Sequence, residues 1–329
     1  MHQNADTRRT VLKIAAVFFA VLLALSAALL ALNLWERHNG TFSGMPEALE
    51  KERIYRGETY TLKDDVQTML LLGLDTYNAD QPESFSNAKQ ADFLLLLVMD
   101  KTNNTCKAIH INRDTMAEMD VLGVAGDPID SVTKQIALSH TYGNGREVSC
   151  RNTANAVSRL LGVAIDHYVS VTMDAVPVIN DLVGGVTVEV LEDFSQIDPT
   201  LIKGQTITLR GDQALTYVRS RQGMEDPTNI QRMKRQKQYL EALYDRSRQC
   251  VREDESFVSR AALAMADYIV SDCSGNRLET MLSQFAENKL EIVHNMDGES
   301  KAGEKFMEFY PDVDSINEIV IDCFYEKED

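Results

Sequence analysis

The chain carries short runs of apolar residues that end at polar turns. The clearest are residues 69–74 (MLLLGL), 93–99 (FLLLLVM) and 106–111 (CKAIHI), and residues 101–104 (KTNN) predict a hairpin turn between the last two. Runs of this length without polar alternation are typical of strands that are buried on both faces of a sheet. We therefore expect three strands inside a sheet.

Segments with the apolar spacing of helices alternate with further short strands. Helices are predicted over residues 152–161, 175–182, 211–218, 230–246 and 256–270, and strands over residues 168–171 and 186–190. This alternation predicts an α/β fold with a mixed central β-sheet flanked by helices. Residues from about 275 onward are expected to form a smaller α/β tail of the same domain.

Residues 14–32 are apolar apart from Ser26. At about 1.5 Å per residue this segment is roughly 28 Å long, close to the hydrocarbon thickness of a bilayer. Three basic residues precede it and only one follows closely, so the positive-inside bias places the N-terminus in the cytoplasm. We expect an uncleaved transmembrane anchor over residues 14–35, and a cleaved signal peptide is the alternative.

This topology divides the chain into four parts. Residues 1–13 are expected to be a cytoplasmic N-terminus, residues 36–65 an extracellular linker, and residues 66–329 an extracellular catalytic domain that includes the tail. The protein is then a single-pass protein of the cell membrane.

The whole chain contains 33 Lys and Arg residues against 50 Asp and Glu residues, for a net charge of −17. This balance argues against nucleic acid as a partner, because such partners require a surface that neutralises phosphates. Hydrophobic residues make up 44% of the chain, which excludes a wholly disordered protein. The five cysteines have no CxxC spacing, so free thiols and one unidentified disulfide both remain open.

Arginines cluster around a loop between two predicted helices. Arg219 and Arg221 end the first helix (YVRSR), and Arg232, Arg235 and Gln236 lie early in the second (QRMKRQ). Guanidinium groups bond two phosphate oxygens at once, and a helix N-terminus adds amide donors. The cluster therefore predicts a binding site for an anion such as a diphosphate, whereas a solvated basic helix face is the alternative.

Charged residues also stand at the ends of the predicted strands. Asp75 follows one apolar run, Asp92 precedes another, and Arg113 and Asp114 follow the third. Two carboxylates at one edge of a sheet are suitable ligands for Mg²⁺, and open α/β sheets bind ligands at strand ends. Asp75 and Asp92 are therefore candidate metal ligands, although each taken alone is also compatible with a purely structural role.

Six segments, in order, resemble the LytR-CpsA-Psr family of membrane-anchored cell-wall glycopolymer ligases. They are LLLGLD (70–75), ADFLLLLVMD (91–100), INRD (111–114), IDHYVSVTMDAVPVINDLVGGVTVEV (165–190), LRGDQALTYVRSR (209–221) and QRMKRQ (231–236). The resemblance extends from about residue 66 to residue 243, and the tail is similar to the family's closing segment.

The resemblance implies a transferase that moves a glycopolymer from an undecaprenyl-pyrophosphate carrier to peptidoglycan through a phosphodiester, with Mg²⁺ assisting. By motif, Asp75 and Asp92 match the family's metal-site acids, and together with Arg113 and Arg221 they are the implied catalytic residues. The implied pyrophosphate-binding residues are Arg113, Arg219, Arg221, Arg232 and Gln236, with Arg235 adjacent and Lys89 as a further cation. Hydrolysis of a polyprenyl pyrophosphate, or non-catalytic binding of lipid-linked cell-wall intermediates, is the alternative.

The chain departs from the family pattern at three places. The family often has an arginine just after the first aspartate, but residues 76–78 contain none. The family often reads Arg-Ser-Asp-Thr at the second aspartate, where this chain has Gln90 in place of the arginine and Lys89 one position earlier. The family's proline before Arg-Asp is Asn112 here.

Overall fold

The computed structural model describes residues 49–75, 90–220, 229–254 and 256–328. These residues belong to one compact unit, Pro46–Asp329. The predicted anchor over residues 14–35, together with Lys89 and Arg221, lies outside the described residues. Within the described ranges, no helix combines the length and the apolar character needed to span a bilayer.

Strands and helices alternate along most of the described chain. The strands are β1 (Glu52–Tyr55), β2 (Glu58–Leu62), β3 (Val66–Leu74), β4 (Ala91–Asp100), β5 (Thr105–Ile111), β6 (Met116–Leu122), β7 (Pro128–Gln135), β8 (His167–Thr172), β9 (Val186–Glu189), β10 (Thr206–Leu209), β11 (Ile269–Ser271), β12 (Lys289–Asn295), β13 (Gly298–Ala302), β14 (Met307–Pro311) and β15 (Tyr325–Lys327). The α-helices are α1 (Glu147–Leu161), α2 (Ala175–Leu182), α3 (Asp212–Arg219), α4 (Asn229–Glu253), α5 (Phe257–Met265), α6 (Gly275–Glu287) and α7 (Val313–Phe324), and two 3₁₀ helices lie at Ile136–Thr141 and Ala266–Tyr268.

A six-stranded sheet in the order β11-β8-β3-β4-β5-β12 forms the centre of the domain. Strand β4 is antiparallel to both of its neighbours, whereas β3 is parallel to β8 and β5 is parallel to β12. The predicted mixed sheet is therefore confirmed. The three apolar runs that predicted strands form β3, β4 and β5, and the turn over residues 101–104 joins the last two.

The two faces of this sheet are covered by different hydrophobic clusters. On one face, Leu70 of β3 shares a cluster with Val157 of α1 and Ile319 of α7. On the other face, Met69 of β3 shares a cluster with Met281 of α6. Because both faces are buried, the strands need no polar alternation, which explains the continuous apolar runs.

The N-terminal boundary of the folded domain differs from the prediction. The predicted linker over residues 36–65 contains β1 and β2, which pair with each other. Strand β2 also pairs with β15, near the C-terminal end of the chain. The side chains of Tyr55, Tyr60 and Leu62 pack against the main core. The domain therefore begins before residue 66, because these half-buried residues give a weak apolar pattern.

One helix prediction is corrected by the sheet. The helix expected over residues 256–270 ends at Met265, and Ile269–Ser271 instead forms β11 beside β8. The tail predicted from about residue 275 does contain both helices and strands, and its strand β12 extends the central sheet beside β5. The β6–β7 hairpin was not predicted, since β7 is largely exposed and carries little apolar signal.

Candidate functional site

Three of the predicted site residues meet at one edge of the central sheet. Strand β4 runs antiparallel to β3 and β5, so the end of β3, the start of β4 and the end of β5 lie side by side. Asp75 follows β3, Asp92 lies near the start of β4, and Arg113 follows β5. The topology of the sheet therefore brings together residues that are up to 38 positions apart, from 75 to 113.

A β-bulge sets the direction of Asp92. Gly73 pairs with Phe93 and Leu74 pairs with Ala91, so Asp92 is the extra residue of β4. Such a bulge bends the strand and redirects the side chain. A Cβ atom at Gly73 would lie 2.8 Å from the Cβ of Phe93, so the close approach of the two strands beside the bulge requires glycine.

Arg113 is held by two hydrogen bonds and by a further ion-pair contact. Its Nη1 bonds Oδ1 of Asp92 and its Nη2 bonds Oε1 of Gln90. Its Nε lies 3.5 Å from Oδ1 of Asp114, which in turn accepts a hydrogen bond of 3.0 Å from Nε2 of Gln135. The Arg113 side chain is only 8% exposed. The guanidinium is therefore fixed at the sheet edge before any ligand arrives.

The turn that carries Arg113 is tied to the start of α4. Oδ1 of Asn112 accepts hydrogen bonds from the backbone N–H of Asp114 (3.0 Å) and from Nδ2 of Asn229 (2.9 Å). Asn229 is the first residue of α4, and Arg232 lies three residues later on the same face of that helix. The Asn112–Asn229 bond therefore sets the position of the buried Arg232 relative to Arg113.

The positive charge of Arg232 acts on His110 of strand β5. Burial, together with the positive charges of Arg232 and Lys237, lowers the pKa of His110 to about 3. The His110 ring packs 5.0 Å from the ring of Phe93. His110 is therefore a neutral, packed residue of β5 at neutral pH.

Asp75 is the more accessible of the two acids. Nη2 of Arg219 lies 3.1 Å from Oδ1 of Asp75, and these side chains are 53% and 23% exposed. Burial and then the negative charge of Asp92 raise the pKa of Asp75, while Arg219 and Arg113 oppose this rise. The two carboxylates thus repel each other, and a bound cation or a proton would relieve the repulsion.

Arg235 does not point into this edge, and its prediction as a pyrophosphate-binding residue is corrected. Its side chain is 2% exposed, and its Nε lies 2.7 Å from Oε2 of Glu192. Its Nη1 and Nη2 donate to the backbone oxygens of Tyr217 and Ser220, and its guanidinium lies 5.1 Å from the centre of the Phe194 ring. The guanidinium is engaged by protein groups, so Arg235 anchors the end of α3 to α4.

Gln236 makes a similar contact from the same helix. Its Nε2 donates to the backbone oxygen of Val218 at 3.2 Å, and the residue is buried. Gln236 therefore lies at the contact between α4 and the end of α3. Its partner Val218 directly precedes Arg219 in the chain.

The described site thus contains most of the predicted residues. Asp75, Asp92, Arg113 and Arg219 lie together, and Arg232 follows Asn229, which bonds the Arg113 turn, by three residues in α4. Lys89 and Arg221 lie outside the described residues and stay predictions.

Sequence reasoning did not assign a role to three uncharged residues of this site, which are Gln90, Asn112 and Asn229. Two of them are the positions where this chain departs from the family pattern. Those departures were the signal that could have found them.

The fold and this sheet edge define an α/β protein with an arginine–carboxylate site suited to a phosphate-type ligand. The model of the LytR_cpsA_psr family matches residues 36–305, and the chain belongs to this family. The resemblance found in the sequence is thereby confirmed.

Two characterised relatives are teichoic acid transferases. The chain is similar to the polyisoprenyl-teichoic acid–peptidoglycan teichoic acid transferase TagU of Bacillus subtilis (strain 168), with 27% identity over 226 residues that cover 68% of this chain and 66% of TagU. It is similar to TagV of the same organism, with 29% identity over 246 residues that cover 72% of this chain and 58% of TagV. The aligned region therefore spans slightly less than two thirds of TagU and 58% of TagV.

Solved structures share the fold. The crystal structure of B. subtilis TagV matches with a TM-score of 0.58 and 23% identity, covering 78% of this chain and 95% of that one. A structure of TagT bound to LI-WTA matches with a TM-score of 0.60 and 20% identity, covering 86% of this chain and 96% of that one.

Proposed function

We propose that this protein is a phosphotransferase that moves a glycopolymer from an undecaprenyl-pyrophosphate carrier to peptidoglycan. The observation that carries the proposal is the Arg113 guanidinium, which is fixed beside two carboxylates, with Arg219 paired to Asp75 at the same edge. Helix α4, which carries Arg232, is bonded to the Arg113 turn through Asn229. Membership of the family, and the transferase names of TagU and TagV, support the same reaction class.

The arginines suit a pyrophosphate group. Phosphoryl transfer is catalysed mainly by positioning and by stabilising the charge on the phosphate oxygens. Guanidinium groups that are already oriented by the protein do this with little reorganisation. Arg113 is oriented by Gln90 and Asp92. The Arg219 side chain is 53% exposed, so an entering ligand can contact its guanidinium.

The bonds that change can be assigned to the reactants. A hydroxyl oxygen of peptidoglycan attacks the phosphorus that bears the glycopolymer, and the bond from this phosphorus to the bridging oxygen breaks. Prenyl phosphate leaves with the electron pair of that bond. The hydroxyl proton passes to a carboxylate of the sheet edge, for which Asp75 is suited because its pKa is raised by burial and by Asp92.

Asp75 and Asp92 are also the residues that would hold Mg²⁺. Two mutually repelling carboxylates form the hard oxygen donor set that this ion prefers. When bound, Mg²⁺ supplies positive charge for the phosphate oxygens. In that case Asp114, beside Arg113, is the remaining carboxylate of the edge for the proton.

We further propose that the protein is anchored in the cell membrane with its N-terminus in the cytoplasm and its domain outside. The apolar segment over residues 14–32 and the preceding basic residues support this orientation. An anchored domain would meet the pyrophosphate of a prenyl-linked substrate at the membrane surface.

The reaction is tested with the purified full-length chain in detergent. The protein is incubated with a short-chain prenyl-pyrophosphate glycan, Mg²⁺ and peptidoglycan oligomers, and mass spectrometry follows the products. We expect an acceptor that carries glycan phosphate, together with prenyl phosphate. Prenyl phosphate without an acceptor product would establish a hydrolase instead, and bound but uncleaved lipid would establish a binding protein.

The arginine assignment is tested by Arg232→Ala and Arg219→Ala. Losing one charge-assisted hydrogen bond to phosphate costs about 1.5–3 kcal/mol, which corresponds to roughly 10- to 150-fold slower turnover. Arg252→Ala, at the exposed far end of α4, is the matched control and should keep normal turnover. Arg219 is half exposed, so its variant reports on catalysis even if the buried Arg232 variant unfolds. Normal rates in both folded variants would refute the assignment.

A further inference from the structure

A second cluster of ligand-type side chains lies at the opposite edge of the central sheet. His167 begins β8 opposite Met69, whereas the candidate site lies beyond the other end of the same strand pair, at Leu74 and Thr172. Asp272 and Cys273 directly follow β11, the neighbour of β8. One ligand atom from each of His167, Asp272 and Cys273 lies within 4.8 Å of the others.

The distances within this cluster match the spacing of ligands around one metal ion. Nδ1 of His167 lies 3.5 Å from Oδ1 of Asp272, and Sγ of Cys273 lies 3.7 Å from the same oxygen. Tetrahedral zinc, with bonds of about 2.0–2.3 Å, requires roughly 3.4 Å between a nitrogen and an oxygen ligand and roughly 3.6 Å between an oxygen and a sulfur ligand. Two of the three pairs therefore stand at coordinating distances, and the third pair, His167 and Cys273, lies within 4.8 Å.

A fourth soft donor lies beside the first three. Sδ of Met281, a buried residue of α6, lies 3.9 Å from Sγ of Cys273, and two sulfur ligands of tetrahedral zinc would be roughly 3.8 Å apart. Thiolate and thioether ligands favour soft and borderline transition metals over Mg²⁺ or Ca²⁺. The donor set of this cluster is thus chemically distinct from the all-oxygen pair at the candidate site.

Backbone contacts hold the cluster in place. The backbone N–H of Tyr168 donates to Oδ1 of Asp272 at 3.1 Å, and the backbone N–H of Cys273 donates to Oγ of Ser271 at 3.0 Å. The Asp272 side chain is 31% exposed, so an ion can enter from solvent.

A similar cluster elsewhere in the described chain lacks these properties. His294, Asp322 and Cys323 also lie within 4.8 Å of one another. However, Nζ of Lys107 lies 2.8 Å from Oδ1 of Asp322 and already supplies a positive charge there. The second cluster is therefore an ion-pair network and provides a control.

We propose that His167, Asp272 and Cys273 bind a zinc-class transition-metal ion, with the sulfur of Met281 as the fourth neighbour. Coordination requires the thiolate, so binding releases the proton of Cys273 to solvent. The ion would join β8 to the end of β11 and to α6, which follow each other about 100 residues later in the chain. Such a site is structural and is separate from the phosphotransferase chemistry.

The proposal is tested with the full-length chain, kept reduced by a phosphine and freed of metal by a chelator. Calorimetry with Zn²⁺ should show one saturable equivalent, and Co²⁺ should give the sulfur-to-cobalt absorption of a coordinated thiolate. Cys273→Ser should abolish that absorption, and both Cys273→Ser and His167→Gln should weaken Zn²⁺ binding at least tenfold. Met281→Leu should keep the absorption and shift the ligand-field bands of Co²⁺.

Two matched variants separate this site from other thiols and histidines. Cys250→Ser alters another half-buried cysteine, and His294→Gln alters the second cluster, so both should bind as the unmodified protein does. Circular dichroism of each variant without metal checks that it is folded. Absence of saturable binding, or binding that Cys273→Ser and His167→Gln leave unchanged, would overturn the proposal.

Discussion

At the scale of single residues, uncharged side chains position the charged ones. Gln90 accepts a hydrogen bond from Nη2 of Arg113, at the position where the family often has an arginine. A second cation there would repel Arg113, whereas the amide oxygen orients it. Asn112 replaces a proline and uses its side-chain oxygen to hold both its own turn and the start of α4. Hydrogen bonding thus supplies the rigidity that proline would provide through its ring.

Gln90→Glu tests whether neutrality at this position matters. The carboxylate would keep the contact with Arg113 but would cancel part of its charge, so we expect weaker pyrophosphate binding and a KM several-fold higher with the fold intact. The matched control is Gln249→Glu, because Gln249 also accepts from an arginine, Arg246 (3.0 Å), on an exposed surface. Equal KM values for the two variants would show that Gln90 has no electrostatic role in binding.

Asp75 should reduce stability at neutral pH. The pKa of Asp75 is higher in the folded chain than in the unfolded chain, so folding favours the protonated carboxyl group. The free energy of unfolding therefore decreases as the pH rises from the unfolded pKa, about 4, through the folded pKa. Asp75→Asn should therefore raise the Tm at pH 7, with a difference that disappears below about pH 3. The half-exposed pair with Arg219 that this variant loses contributes little.

Asp322 should have the opposite effect on thermal stability, because its carboxylate stabilises the folded chain at neutral pH. A hydrogen bond from His294, and then Lys107, holds the pKa of Asp322 well below its usual range. Its stabilising effect is present above the unfolded pKa and is lost as the pH falls toward the folded pKa. Asp322→Asn should therefore lower the Tm at pH 7. Thermal unfolding across pH measures both variants. If Asp75→Asn and Asp322→Asn shifted the Tm at pH 7 in the same direction, this account would be contradicted.

At the scale of elements, the bulge at the start of β4 shapes the site. Gly73 of β3 lies against Phe93, and Asp92 is the extra residue of the bulge. The antiparallel register beyond the bulge is regular and brings Leu94 opposite Ile111 on β5. One inserted residue therefore redirects Asp92 toward Arg113 while the buried strand beyond it keeps its pairing.

Gly73→Ala should disturb this geometry. The added Cβ would approach the Cβ of Phe93 to 2.8 Å, and overpacking of this kind costs about 1–3 kcal/mol. Gly275→Ala, where an added Cβ meets no atom within 4 Å, should be neutral or slightly stabilising. Urea unfolding measures both variants. Equal stability of Gly73→Ala and the unmodified protein would show that the strands separate easily at the bulge.

At the scale of the whole molecule, the two ends of the folded domain close on each other. Strand β15 pairs with β2, and Oη of Tyr325 donates to the backbone oxygen of Glu50 at 3.1 Å. The C-terminal strand therefore covers an edge that β2 would otherwise expose.

A chain that ends at Phe324 should lose this closure. We expect a lower Tm and faster amide exchange in β2, because its partner strand is missing. Tyr325→Phe is the control that keeps the strand and loses only one hydrogen bond, at a cost of about 0.5–1.5 kcal/mol. Unchanged exchange in β2 after the truncation would mean that β15 does not stabilise this sheet.

Local pattern was sufficient for much of the fold. The helix predicted over residues 175–182 is Ala175–Leu182, and the three long apolar runs are central strands, because burial on both faces leaves a continuous signal. Strands β1, β2 and β7 are partly exposed, and β11 is three residues long, so each carries too few buried positions to be distinguished locally. For β2 and β11, the pairing partners β15 and β8 also lie far away in the chain.

The sequence by itself determined the α/β class, the central strands, the family and the charged residue types of the site. Only the tertiary structure decided which arginine serves which purpose. Arg113 and Arg235 are chemically identical, but Arg113 meets Asp92 at an open sheet edge whereas Arg235 meets Glu192 in the core. The physical reason is that a side chain's role depends on the neighbours that distant segments bring to it, and local periodicity carries no information about those neighbours.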